Sequence, residues 1–373
     1  RQKTYYLTSG DARSESLIKQ GFTLENEFYR VKVEEHSGLI ESLYDKVNDR
    51  YVLKLLRDEA TRPEGNNLFQ VLYELPHPAS AWIIGPISRI ENLVKGRVRV
   101  LEEGPVRAIV EVIHRYRSSL IKQHITLYRG IPRVEFRTWI EWNEVADSET
   151  EAPMLKVAFT PVLGKSTATF EIPFGYVERV ADGREYPALR WVDLSDGEYG
   201  VSILNDCKYG FDVKGNTLRM TLLRTSYEPD PEPDRGLHEI TYALYPHAGD
   251  WKTARTFRRG YELNHPLRAV AILGEAGGNQ PEEYSFLRAS PYNVVVSCVK
   301  RAEDSDDLVI RLYDATGEGA DAELELGLKI EEVWETDLLE HPIREIKLID
   351  HKRIRVALTP YEIKTLRVRI ASS

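Results

Sequence analysis

From Val134 to Trp142 the chain alternates without a break. Val134, Phe136, Thr138, Ile140 and Trp142 fall on one side, and Glu135, Arg137, Trp139 and Glu141 on the other. A period of two marks a half-buried β-strand, because successive side chains point to opposite faces of a sheet. The alternation recurs at Arg107 to Arg117, Leu218 to Leu223, Leu308 to Leu312, Ala322 to Ile330 and Ile354 to Leu358. Turn formers separate the runs, among them Gly104-Pro105, Gly130-Ile131-Pro132, Asp196-Gly197, Lys214-Gly215-Asn216 and Thr316-Gly317. Many short strands punctuated in this way predict an all-β protein built of sandwiches or barrels. Helical spacing is scarce. Its best segment is Trp251 to Leu263, where Ala254, Phe257 and Tyr261 follow Asp250 as an N-cap. Asp11 to Gln20 is a second candidate that reads equally well as a linker.

A length of 373 residues accommodates two or three domains. The loosest composition, Gly274 to Pro281, predicts the main boundary. Residues 1–20 read as a linker, 21–273 as a large β domain and 284–373 as a smaller C-terminal β-sandwich. The 59 acidic residues against 50 basic ones leave a net charge of -9, which argues against a nucleic-acid partner. No apolar run is long enough to span a membrane. Two cysteines are too few for a disulfide scaffold or a Cys-rich zinc site. With no apolar leader in view, the expected location is cytoplasmic.

Several strings resemble motifs and fail on chemistry. Gly317-Glu318-Gly319-Ala320-Asp321-Ala322 has dinucleotide-loop spacing, but a strand-like run follows where a helix must hold the phosphates, so it reads as a hairpin turn. His238-Glu239 begins a metal-binding helix pattern but sits in a strand-like run that ends in Tyr242. Asp230, Glu232 and Asp234 have the early spacing of a calcium loop, yet Arg235 and Thr241 stand where Gly and Glu are required.

Two segments keep a functional reading open. The stretch Thr225 to His238 places Pro229, Pro231 and Pro233 at alternate positions between two strands and concentrates Asp234, Arg235 and His238. The prolines stiffen it and stop it from pairing as a strand. It is either a rigid binding loop or a solvated turn. The other segment runs from Gly65-Asn66-Asn67 to Trp82. Amides that read hydroxyls, with a Trp for stacking, equip a carbohydrate site, and a turn with a core Trp fits equally well.

In order along the chain, the stretches Leu24 to Val31, Gly38 to Asp45, Trp191 to Ser195, Gly200 to Gly210, Tyr242 to His247 and Pro360 to Leu366 resemble the C-terminal β half of family 38 α-mannosidases. The resemblance implies a large galactose-mutarotase-like β super-sandwich followed by the smaller sandwich. It also implies a retaining, zinc-assisted hydrolysis of α-mannosides. No His here is followed by Asp two residues later, so the family's early zinc pair is lacking. The expectation is therefore a non-catalytic C-terminal portion with no catalytic residue, metal ligand or cofactor of its own. Zinc would be held by an absent upstream catalytic domain of the same polypeptide, and that domain and a helical one would be its partners. Asp234-Arg235-Gly236-Leu237 matches a family loop whose Arg reaches the active-site sugar. Arg235, Asp234, His238 and Asn67 are accordingly the expected sugar-binding residues. The rival readings are a self-contained carbohydrate-binding or structural module and a mutarotase-like epimerase.

Overall fold

The structure is a computed structural model that describes residues 2–5, 15–54, 66–272 and 281–371. Strands dominate, and Thr256–Asn264 is the one α-helix among the described residues. No helix among them is long and apolar enough to cross a membrane. The chain divides into two compact units, the larger formed by Ala12–Glu171 and Val177–Pro266, the smaller by Arg1–Asp11, Ile172–Tyr176 and Leu267–Ser373.

The larger unit is a super-sandwich. Its nine-stranded antiparallel sheet runs, from the third strand to the far edge, in the order Trp191–Ser195, Tyr199–Asn205, Gly236–Ala248, Val134–Trp142, Ser119–Tyr128, Arg107–Tyr116 and Arg97–Glu103. Its six-stranded sheet has the order Asp182–Pro187, Gly210–Lys214, Thr217–Arg224, Ala152–Phe159, Asn66–Glu74 and Ile87–Asn92. The inner face of Val134–Trp142 is buried residue by residue as the alternation requires. Rings from both sheets meet in the core, with Phe136 5.6 Å from Phe159 of the facing sheet and 5.0 Å from Tyr242. Burial of each such ring contributes about 1.5–3 kcal/mol.

A closed polar circuit lies inside this apolar core. Gln123 Nε2 donates to Tyr242 Oη (2.7 Å) and Thr138 Oγ1 (2.9 Å), Tyr242 donates to Asn67 Oδ1 (2.9 Å), and Asn67 Nδ2 donates to Gln123 Oε1 (2.6 Å). Buried polar groups are tolerated when their partners are all present, and a register slip would break every one of these bonds.

The smaller unit packs a four-stranded sheet (Leu287–Ser290, Ala320–Leu326, Arg353–Leu358, Leu348–Asp350) on a five-stranded one (Val294–Arg301, Leu308–Asp314, Ile363–Ile370, Ile330–Thr336, Pro342–Glu345). Leu324, Leu326, Ile354, Ile310, Leu312 and Val368 fill the space between. The all-β class, with a large super-sandwich followed by a smaller sandwich, is the expected one.

Three local expectations are corrected. The run Ala322 to Ile330 is not one strand: it ends at Leu326, and Ile330 starts a strand of the opposite sheet. Gly327 sits at the break, where a Cβ would lie 2.8 Å from the Ser285 carbonyl oxygen. The Gly317–Gly319 segment is a turn, but it connects the two sheets rather than closing a hairpin. The helix begins at Thr256 rather than Trp251, because Asp250 closes a turn on the Thr253 amide and Arg255 adopts φ 55. Trp251 stacks on Trp191 at 5.1 Å instead of entering the helix. The candidate helix at Asp11 to Gln20 lies mostly outside the described residues, and 15–20 are not helical. The Gly274 to Pro281 boundary also lies outside them, except for Pro281 itself.

Candidate functional site

Glu74 closes the strand Asn66–Glu74 and is 2% exposed. A carboxylate buried this deeply must be neutralised and hydrogen-bonded, or burial will protonate it. Arg224, the last residue of Thr217–Arg224, supplies the charge by a forked contact, Nη2 to Oε1 at 2.8 Å and Nε to Oε2 at 3.1 Å. The Gly85 amide and His77 Nε2 each lie 2.6 Å from Oε1. Burial alone would raise the Glu74 carboxyl. The bonds from Arg224, Gly85 and His77, with the Arg224 charge, outweigh it and hold the carboxyl below its ordinary value. Glu74 thus fixes the loop that returns to Ile87–Asn92. Gly85 is required in that loop, since a Cβ would meet His77 Cδ2 at 2.6 Å.

The Pro-rich loop is stitched to this one. Tyr227 Oη donates to the His77 carbonyl (2.7 Å) and accepts from the His77 amide (2.9 Å). Ser80 Oγ accepts from the amides of Tyr227 (3.2 Å) and Glu228 (3.1 Å). At its base, Thr225 Oγ1 accepts from the buried Trp142 Nε1 at 3.0 Å. Asp234 Oδ2 accepts from the Arg224 amide at 2.7 Å and so closes the loop on its own start. His238 Nε2 donates to the Asp234 carbonyl at 2.7 Å, from within the strand Gly236–Ala248.

Arg235 is held differently. Its Nη1 lies 3.1 Å from both Glu232 carboxylate oxygens, and the two side chains are 50% and 51% exposed. An exposed pair of this kind contributes only about 0–1 kcal/mol, so a ligand can take the guanidinium from it at little cost. Trp82 stands on the neighbouring loop, 68% exposed.

The structure therefore brings Arg235, Asp234 and His238 together and leaves Asn67 apart. Asn67 is 2% exposed, and its amide is spent on Gln123 and Tyr242 in the core. Asp234 accepts from the Arg224 amide and Asp230 from the Glu232 amide at 3.0 Å, so both carboxylates shape the loop. No cluster of three or more His, Cys, Asp or Glu among the described residues has the arrangement a metal ion needs, so no metal chemistry is assigned to them. Asp193, Ser202 and His247 have a hydrolase triad's composition without its geometry. Ser202 Oγ and Asp193 Oδ1 both approach His247 Nε2, at 3.2 and 2.8 Å, and all three residues are buried. A triad needs Ser and Asp on opposite ring nitrogens.

Sequence reasoning missed the Glu74–Arg224 hub. The only local signal for it is the three-residue spacing of Glu74 and His77.

The family profile for the glycosyl hydrolases family 38 C-terminal domain matches residues 24–232, and that for the family's C-terminal beta sandwich domain matches residues 293–366. Alpha-mannosidase 2C1 of Mus musculus is 35% identical over 268 residues, covering 68% of this chain and 25% of the relative. Alpha-mannosidase G of Dictyostelium discoideum is 27% identical over 379 residues, covering 97% and 33%. The chain thus spans about a quarter to a third of the length of these curated relatives. An alpha-mannosidase structure from Enterococcus faecalis V583 superposes with a TM-score of 0.75 at 18% identity, over 96% of this chain and 43% of that one, which is a likeness of fold.

Proposed function

The chain belongs to glycosyl hydrolase family 38, and from that premise we propose that it is the non-catalytic C-terminal β portion of a zinc-dependent retaining α-mannosidase. In this reading the zinc, nucleophile and acid belong to a catalytic domain elsewhere on the same polypeptide, and this chain completes the sugar site. The observation that carries it is the presentation of Arg235. A loop stiffened by three prolines and tied down at Glu74, Ser80, Thr225 and Asp234 holds out one guanidinium whose partner is an exposed carboxylate. Guanidinium does not titrate near neutral pH, and it donates two parallel hydrogen bonds that match vicinal hydroxyls of a sugar. The loop's rigidity lowers the entropy cost of making them. Asp234 and His238 set the loop's shape and leave the sugar contact to Arg235.

A mutarotase-like epimerase needs a His and a Glu converging on one substrate. Here the His238 ring is tied to Asp234, and Glu239 points to the other face, where it pairs with Arg137.

The test is direct. The purified chain is assayed on an aryl α-mannoside with added zinc, and its metal content is measured. Neither turnover nor stoichiometric zinc is expected. Turnover above background that chelation abolishes would place the catalytic machinery in this chain and overturn the proposal.

A further inference from the structure

Next to the Arg235 loop, the outer face of the nine-stranded sheet forms a groove of about 470 Å³, bordered by Leu120, Lys122, Trp139, Glu141, Leu237 and Glu239. The register builds it from two cross-strand rows, Lys122–Trp139–Glu239 and Leu120–Glu141–Leu237. Its volume falls within the roughly 300–1,000 Å³ of small-ligand sites. We propose that this groove is a second sugar subsite, which takes a neutral pyranose adjoining the one under Arg235. The inference rests on the reading of Arg235 above.

The groove has the parts that a neutral sugar ring requires. Trp139 offers a flat apolar surface, and the ring is fixed in place by the edge of His124, 4.6 Å away at 69°. Lys122 and Arg137 approach it at 4.6 and 4.9 Å. The two cations are held unequally. Arg137 is ion-paired to Glu239, whereas Lys122 has no carboxylate partner among the described residues. Lys122 is therefore the one that swings aside when a ring stacks on Trp139.

Glu141, two residues along the strand from Trp139 and on the same face, also has no cation or hydrogen-bond donor among the described residues. The groove that Trp139 opens onto is thus bordered by an ammonium donor and a carboxylate acceptor, which can serve hydroxyls of a stacked ring. Lys122, Arg137, Glu141 and Glu239 sum to zero charge, which favours a neutral ligand over an ionic one. Continuity with the first site is set by the backbone. Gly236 (φ 137) turns the Pro-rich loop into the strand, and Leu237, 85% exposed, forms the lip of the groove two residues beyond Arg235. A glycan whose end lies under Arg235 has this surface next in line.

Saturation-transfer NMR on the chain tests it, with an α-linked mannotriose as probe. Transfer to the trisaccharide is expected in the wild type, reduced roughly tenfold in Trp139→Ala and largely restored in Trp139→Phe, because stacking needs the ring rather than the indole N–H. Arg344→Ala, an exposed position in the smaller unit, is expected to leave it within about twofold. Melting curves confirm that each variant is folded. Absence of transfer, transfer equal in Trp139→Ala and wild type, or equal transfer to an anionic trisaccharide would overturn the subsite. The role of Arg235 is read separately from hydrolysis kinetics, so either assignment can fail without the other.

Discussion

Replacing Glu74 by Gln keeps the shape of the side chain and removes its charge. The substitution leaves Arg224 without a counter-charge at a site where the two side chains are 17% and 3% exposed. Breaking a buried pair from one side costs about 3–5 kcal/mol. The residual exposure of Arg224, and the amide oxygen that still accepts from Gly85, reduce the expectation to about 2–3 kcal/mol. For a unit of this size that is a fall in Tm of roughly 4–10 °C. The sign of the pH dependence follows from the lowered Glu74 carboxyl. Stability from this site is full above the ordinary carboxylate value near 4.5 and is lost as pH falls through the folded-state value, so the gap between wild type and variant closes in acid. Thermal denaturation at pH 7 and pH 4 measures both effects. Hydrogen exchange adds a local readout: the Gly85 and Glu228 amides lose protection, while Ile121 and Val157 in the core do not. A Tm within about 1 °C of wild type, with Gly85 still protected, would refute the hub as the anchor of the two loops.

Tyr242→Phe leaves Gln123 and Asn67 each short of a partner inside the core, and chemical denaturation should show a loss of about 1–3 kcal/mol. His114 is buried, and burial pushes its pKa from 6.5 down to about 4 despite its bond to the Lys95 carbonyl. The unfolded chain therefore takes up a proton first. The stability that depends on His114 is present above pH 6.5 and declines by about 3 kcal/mol towards pH 4, a slope that His114→Asn should flatten in denaturation curves across that range.

How legible the chain is depends on how far apart the determining residues lie. Alternation is local, and it placed Val134–Trp142 and its buried face residue for residue. Which sheet a strand joins is not local: the Ala322 to Ile330 pattern continues across Gly327 although the chain changes sheets there. Trp251 fits helical spacing, yet its contact with Trp191, sixty positions earlier, removes it from the helix. The stiffness of the Pro-rich loop could be read from its prolines. What holds that loop could not, because Glu74 and Arg224 are 150 residues apart. Asn67 shows the converse error. Its setting among Gly, Asn and a later Trp reads as a sugar-facing amide or a turn, while the side chain completes a core circuit with residues from two other strands.

The central claim is that Arg235 belongs to a sugar site completed by this chain, and hydrolysis kinetics of Arg235→Ala test it most directly. In the isolated chain the substitution should change folding stability by no more than about 0.5 kcal/mol, as at an ordinary exposed position. In a polypeptide that joins this chain to a family 38 catalytic domain, kcat/KM for an α-mannoside should fall by about 1.5–3 kcal/mol, roughly tenfold to somewhat over a hundredfold, through loss of a forked hydrogen bond to substrate. A large stability loss with unchanged kcat/KM would contradict the account and make Arg235 a structural residue.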